Sequence, residues 1–260
     1  MVTIKTADEI VRMRRGGKIL ADVLASVAGL VAPGVSAAFL NAEAEKMIAA
    51  RGAESLFLGY KPEGALSAYP AALCVSVNDE VVHGIPGKDK IMHEGDIVGL
   101  DCGLRYEKMC VDSAITVGVG EVSAQAKKLI AVTRDALTEG LRVVGPNARI
   151  GDIGHAVDQY VKKNGFTVVR DLAGHGVGYS IHEEPMILNF GKKGTGMQLA
   201  PGMTIAIEPM VVAGDFHIII DDDGWGIRTA DAALAAHFEH TVVVTKEGCE
   251  ILTTHEASRH

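Results

Sequence analysis

The chain of 260 residues is poor in several things, and each shortage narrows what it can be. It has only four cysteines, Cys74, Cys102, Cys110 and Cys249, with no CxxC pair among them. That excludes a zinc ribbon and a thioredoxin-type motif, and scattered thiols fit a reducing compartment, so the expected location is the cytoplasm. Long apolar runs are missing too. The most hydrophobic stretch, Ile19–Val31, is too short to span a bilayer and contains Asp22, so no membrane partner is expected. Residues 1–18 carry Lys5, Asp8, Glu9, Arg12, Arg14 and Arg15 without an apolar centre, so no targeting segment is expected. Positive charge is in deficit: 25 Lys and Arg face 33 Asp and Glu, a formal net charge of −8. This argues against a nucleic-acid partner held through phosphates. The run Arg12, Arg14, Arg15, Lys18 reads as the solvated face of a helix.

No low-complexity linker divides the chain, and the expectation is one catalytic domain over 1–260, built of pseudo-symmetric halves at about 1–120 and 121–260. Ile10, Met13, Ile19, Leu20, Val23, Leu24, Val27 and Leu30 have amphipathic-helix spacing, ended by Pro33-Gly34. Ser36 suits the cap of a second helix ending near Gly52. The second half repeats the plan: a helix over roughly Ser123–Leu141, then Pro146, then a helix ending at Gly165. Pro33 to Gly52 and Pro146 to Gly165 are the same distance apart. Leu40, Ala44, Met47 and Ile48 correspond to Ile153, Val157, Tyr160 and Val161, each set a stripe suited to packing on a flat surface. Any two amphipathic helices could be aligned in this way, so the repeat stays an open reading.

Strand-like runs follow each helix pair: Leu73–Val77, Asp96–Leu104 and Met109–Val117, then Met203–Ala213, His217–Ile220 and Phe238–Thr245. Asp221-Asp222-Asp223-Gly224 reads as a hairpin turn, because it lacks the alternate spacing and distal Glu of a calcium loop. Helix runs followed by strand runs give an α+β class with a helix-covered antiparallel sheet.

Several of those strands carry acids where apolar residues belong. Asp101 and Asp112 lie in the first half, Glu208 and Glu239 in the second, each inside an apolar run. A buried carboxylate must pair, bind a cation or stay protonated. One such residue is usually a paired structural acid; four, two per half, point to a shared cation site. His175, in Ala173-Gly174-His175-Gly176-Val177-Gly178, adds a nitrogen among small neighbours that allow close approach. Alone it could as well cap a turn. Neither a GxGxxG phosphate loop nor an HExxH zinc motif is present, since the fourth residue after His182 is Met186. Four carboxylates and one His suit a pair of divalent ions such as Mn, Fe, Co or Zn. A single structural zinc, with its usual Cys and His ligands, is the weaker alternative.

In that order, Asp101, Asp112, His175, Glu208 and Glu239 resemble the ligand set of the pita-bread metallopeptidases. The surrounding words Asn78-Asp79-Glu80-Val81-Val82-His83-Gly84-Ile85-Pro86, Gly174-His175-Gly176-Val177-Gly178, His182-Glu183-Glu184-Pro185, Ile207-Glu208-Pro209-Met210 and Phe238-Glu239-His240-Thr241 narrow the likeness to type I methionine aminopeptidases. The resemblance runs from the first helix to Gly248-Cys249-Glu250-Ile251-Leu252.

It implies a pita-bread fold and removal of the initiator methionine from nascent proteins whose second residue is small. It also implies two divalent ions (Co, Mn, Fe or Zn), polypeptide N-termini as partners with the ribosome as a candidate contact, and a monomer. Carried over by position, Asp101 chelates one ion, Asp112 and Glu239 bridge both, and His175 and Glu208 complete the two sides. Glu208 doubles as general base. His83 contacts substrate near the scissile amide, and His182 hydrogen-bonds the carbonyl oxygen. Tyr60, Tyr69, Cys74 and Trp225 match the methionine pocket. From the residues alone, His83 could be a turn residue, and Trp225 could close a hairpin.

The chain departs from the family pattern in three places. The segment 61–68 lengthens the link between Tyr60 and Tyr69, Ile181 replaces a bulkier aromatic, and Phe57 stands where Cys is common. A proline-directed peptidase and a non-catalytic scaffold of the same fold are the competing readings.

Overall fold

A computed structural model describes residues 2–254. Among the described residues four helices form where the periodicity places them. Helix α1, Ala7–Ala28, starts in a capping box: the Thr6 amide donates to the Glu9 carboxylate at 2.8 Å, and the Glu9 amide donates back to the Thr6 hydroxyl. Its buried stripe includes Met13, Leu20, Val23, Leu24 and Val27. Helix α2, Ala37–Ala50, is capped by the Ser36 hydroxyl, which accepts from the Phe39 amide at 3.2 Å, and buries Leu40, Ala44 and Ile48. Helix α3, Ala124–Arg142, begins at a Ser123 cap, and helix α4, Ile150–Lys163, buries Ile153, Val157 and Val161. Met47 and Tyr160, the remaining members of the two matched stripes, are partly buried. The basic run on α1 is solvated and spent on surface pairs, Arg14 with Glu250 and Arg15 with Glu107.

The helices cover a nine-stranded antiparallel sheet. Its centre is the hairpin Ile97–Tyr106 with Met109–Gly118, turned by Glu107 and Lys108 at φ 46° and 71°. Two left-handed residues form the tight turn that matches strand twist. Glu239–Val244 pairs with the second hairpin strand, followed outward by Thr204–Ile207, Ala173–Gly176 and Glu183–Leu188. On the other side Cys74–Val77 and Glu54–Ser55 pair with Ile97–Tyr106. Among the described residues no helix is long and apolar enough to cross a membrane.

One strand expectation is corrected. The run Met203–Ala213 is two strands, Thr204–Ile207 in the large sheet and Met210–Val212 in a three-stranded one. The break falls at Glu208-Pro209, where proline supplies no amide to the ladder and the chain changes sheets. The glycine-rich segment around His175, outside the expected strand runs, is in part the strand Ala173–Gly176, bulged between Gly174 and Gly176. Asp221 and Gly224 do turn a hairpin: Ile218–Ile220 pairs with Ile227–Thr229, and the Gly224 amide donates to Asp221 at 2.9 Å.

Candidate metal centre and substrate pocket

Register alone aligns three of the acids. Asp101 and Glu239 both lie opposite Ala114, one from each neighbouring strand, and Asp112 is two residues from Ala114 on the same face. A small residue between two acids leaves room above the sheet. The bulge at His175 re-aims its ring, as bulges do: Nε2 lies 3.5 Å from Glu208 Oε1 and 3.9 Å from Asp112 Oδ2. Ligand atoms of Asp112, His175 and Glu239 all fall within 4.8 Å of one another. The His175 Nδ1 contacts its neighbour Gly176 O at 2.9 Å, leaving Nε2 for the centre. Glycines permit this crowding. A Cβ at Gly174 would sit 2.3 Å from the Ala206 oxygen, and one at Gly176 2.2 Å from the Glu184 oxygen.

The electrostatics are those of a site built for cations. Burial, reinforced by neighbouring carboxylates, pushes Asp101, Asp112 and Glu239 well above the usual acid range. Burial pushes Glu208 up to about 8. It lowers His175 to about 3 by the same cause acting on a base. Asp101 Oδ1 and Glu239 Oε1 are buried with no hydrogen-bond partner. Buried carboxylate oxygens are rarely left so, and protein donors do not fill the gap. The donor set, hard oxygens plus one imidazole, fits divalent ions of the Mn, Fe, Co and Zn group.

These five residues line one cavity of about 520 Å³ together with His83, His182, Tyr60, Tyr69, Cys74 and Trp225. Cys74 is in register with Asp101, so the apolar pocket abuts the acids directly. Tyr69 stacks edge-on to Trp225 at 5.2 Å and donates its hydroxyl to the Gly84 oxygen at 3.0 Å. The long link 61–68 thus leaves Tyr69 in the cavity wall. Its ends are closed by mutual bonds, the Gly59 amide to the Tyr69 oxygen and the Tyr69 amide to the Tyr60 oxygen. The indole N–H of Trp225 donates to Ser67 within it at 3.3 Å.

His83 adopts a left-handed backbone, φ 59°. Such a conformation costs on the order of 1–3 kcal/mol in a non-glycine residue. It is held because Gly84 is tied on both sides, accepting from the Val75 amide at 2.9 Å and donating to the Ser76 hydroxyl at 3.2 Å. Burial lowers its imidazole to about 4, so the ring is neutral near pH 7. His182 packs edge-on against His175 with ring centroids 4.5 Å apart. It opens to the cavity on one side, yet enough protein surrounds the ring to lower its pKa.

Two residues noted as departures from the family pattern, Phe57 and Ile181, lie at this site, and His237 and Arg170 join it without having been singled out. Phe57 lines the cavity beside Tyr69, while Ile181 is buried behind it against Gly103. His237 stands 3.5 Å from Glu208 Oε2, with Nε2 buried and lacking a hydrogen bond. Its position two residues before Glu239, on the same face of an extended segment, was the signal available. Arg170 at the cavity lining stacks on Phe216 at 4.3 Å, a pairing with no sequence signature.

Known proteins of this shape carry the same arrangement of elements. The chain is 46% identical to a methionine aminopeptidase of Aquifex aeolicus, covering 94% of this chain and 96% of that one. It is 43% identical to methionine aminopeptidase B of Synechocystis, covering 97% and 92%. The crystal structure of a methionine aminopeptidase from Thermotoga maritima superimposes with a TM-score of 0.94 at 42% identity, covering 98% of this chain and all of that one. A prolidase from Pyrococcus horikoshii shares the pita-bread fold at 20% identity and a TM-score of 0.74. The model of metallopeptidase family M24 matches residues 11–246, and to that family this chain belongs.

Proposed function

We propose that the chain is a methionyl aminopeptidase that releases the N-terminal methionine from polypeptides whose second residue is small. The observation that carries this reading is the direct contact between an acid-rich centre and an apolar, aromatic pocket: Cys74 of the pocket is the strand partner of Asp101 of the centre. A flexible thioether suits such a polarisable lining. The scissile amide then lies over the carboxylates while the side chain is held.

Asp101, Asp112, His175, Glu208 and Glu239 are the residues that would hold divalent ions, and two ions are the reading the donor set favours. When bound, such ions make water a nucleophile near neutral pH and polarise a carbonyl. Glu208, at the edge of the cluster, takes the proton released as water attacks. His182 donates to the carbonyl oxygen as charge builds there. For Nε2 of His182 to carry the ring proton to the substrate, Nδ1 must accept, and the Tyr60 hydroxyl 2.9 Å from Nδ1 is the donor at hand. His83, neutral and held by its tied backbone, contacts the substrate beside the amide. Tyr60, Tyr69, Cys74 and Trp225 receive the methionine, with Phe57 completing the wall.

We read the chain as one catalytic unit of two pseudo-equivalent halves, acting as a cytoplasmic monomer on nascent N-termini, with the ribosome as its source of substrate. Assaying Met-Ala-Ser, Met-Leu-Ser, Leu-Ala-Ser and an Xaa-Pro peptide tests the activity. Only the first is expected to be cut well, because a bulky second residue displaced by about 1 Å costs roughly a hundredfold in rate. Equal cleavage of the first three would mark a broad aminopeptidase, and preference for the last a proline-directed one.

A further inference from the structure

We infer that Lys5 is a positioning residue for His182: the segment ahead of α1 reaches across the molecule and fixes the turn that aims this histidine into the cavity. The inference rests on the role given to His182 above.

Lys5 is a lysine where none is expected, 4% exposed although it lies outside any helix or strand. Its ammonium meets the Glu183 carboxylate at 2.6 Å, with side-chain exposures of 1% and 9%. Glu183 directly follows His182 and organises the whole turn. Its Oε1 accepts from the amides of Tyr179 at 2.5 Å and Ser180 at 3.0 Å. Its Oε2 accepts from Lys5 and from the Thr3 hydroxyl at 2.6 Å. The ammonium also donates to the Thr3 hydroxyl and lies 4.9 Å above the Tyr179 ring.

The turn is shaped to admit this side chain. A Cβ on Gly178, at φ 152°, would come within 2.1 Å of Lys5 Cε, so only glycine leaves the channel open. The backbone anchors the segment as well, the Lys5 amide donating to the Gly202 oxygen at 2.8 Å. On its inner side the turn is pinned to the sheet, with the Val177 amide bonded to Thr204 and the Cys110 amide to Gly178. Pinned inside by the sheet and outside by Lys5, the turn fixes the backbone from which His182 projects into the cavity. Surface stability alone gives no reason to bury an ammonium, since an apolar residue there would serve equally well or better. Catalysis gives one: a hydrogen-bond donor must stand at the oxygen's position before charge appears there.

The test is a double-mutant cycle on the metal-loaded, full-length enzyme with a Met-Ala-Ser substrate, using Lys5→Met, His182→Ala and the pair. Metal content and Tm are recorded for each. Lys5→Met is expected to lower kcat by about tenfold or more with KM within about twofold, as misplacement of a catalytic group does. In the His182→Ala background the same change should cost less than about twofold, because the group it positions is gone. Equal fold losses in both backgrounds would make Lys5 merely structural and overturn the inference while leaving the proposed function intact. Wild-type kcat for His182→Ala would overturn the role of His182 and the inference with it. Should Lys5→Met not fold, Glu183→Gln carries the same cycle with the same two readings, since it keeps the shape of the turn and removes the charge that Lys5 pairs.

Discussion

The Tyr60 hydroxyl lies 2.9 Å from Nδ1 of His182, although the two residues are 122 positions apart in the chain. The rings also meet edge-on with centroids 5.4 Å apart. A residue expected to line the methionine pocket therefore also sets which nitrogen of His182 is free.

Tyr60→Phe keeps the ring and removes that hydrogen bond. A bond of this kind contributes about 1 kcal/mol, so kcat should fall by roughly fivefold to tenfold. KM should change little, because the apolar surface offered to methionine is retained. Steady-state kinetics separates the two. A raised KM with unchanged kcat would reduce Tyr60 to a pocket wall.

Asp112→Asn preserves shape at the centre of the acid cluster but replaces an anion with an amide. Activity should fall by at least about a hundredfold, beyond what changes around a ligand usually cost. Metal analysis of the purified variant should show reduced binding with Tm of the metal-free form equal to or above that of the parent. Normal turnover at saturating metal would remove Asp112 from the ligand set.

The acid cluster also makes a prediction about pH. Burial raises Glu208 from its ordinary 4.5 to about 8, so the folded chain holds this proton more tightly than the unfolded chain. The stability this contributes is fully present below 4.5 and is lost as pH rises through about 8. Asp101, Asp112 and Glu239 shift in the same direction. Tm of chelator-treated protein should therefore drop between about pH 4.5 and pH 8, while cations, binding the deprotonated folded form, should flatten the profile. Parallel Tm profiles with and without metal would show that the carboxylates do not face a common cation site.

Gly103, the strand partner of Asp112, is a steric constraint with a defined remedy. A Cβ there would stand 2.8 Å from both Ile181 Cδ1 and Phe57 Cε1, and 3.3 Å from Asp112 Oδ1. Gly103→Ala should lower kcat/KM by about tenfold, by pressing on Phe57 and on Asp112. Adding Ile181→Val removes the Cδ1 atom and should restore part of the loss. A fully active Gly103→Ala enzyme would show that this approach is not limiting.

Much of the protein was legible before any coordinates. The helices followed from spacing, and α2 also from its Ser36 cap, because a stripe at helical period and a capping serine act locally. The acids were legible because a carboxylate in an apolar strand contradicts its surroundings, so Asp101, Asp112, Glu208 and Glu239 marked themselves. Family likeness then supplied the proposed roles of His83 and His182, which no local pattern could. The break at Glu208-Pro209 was missed because an apolar run hides a change of sheet.

The sequence by itself determined which groups could do chemistry; how they are aimed was decided only by the tertiary structure. Lys5 reads in sequence as one more polar residue near the start of the chain, and Tyr60 as one more aromatic. Lys5 becomes a buried partner of Glu183 and Tyr60 a partner of His182 only after the sheet has brought segments 178 and 122 positions apart together. The physical reason is range. Caps and periodicity act over a few residues, whereas an ion pair or hydrogen bond across the fold depends on where packing leaves two distant backbones, and no single stretch of sequence records that.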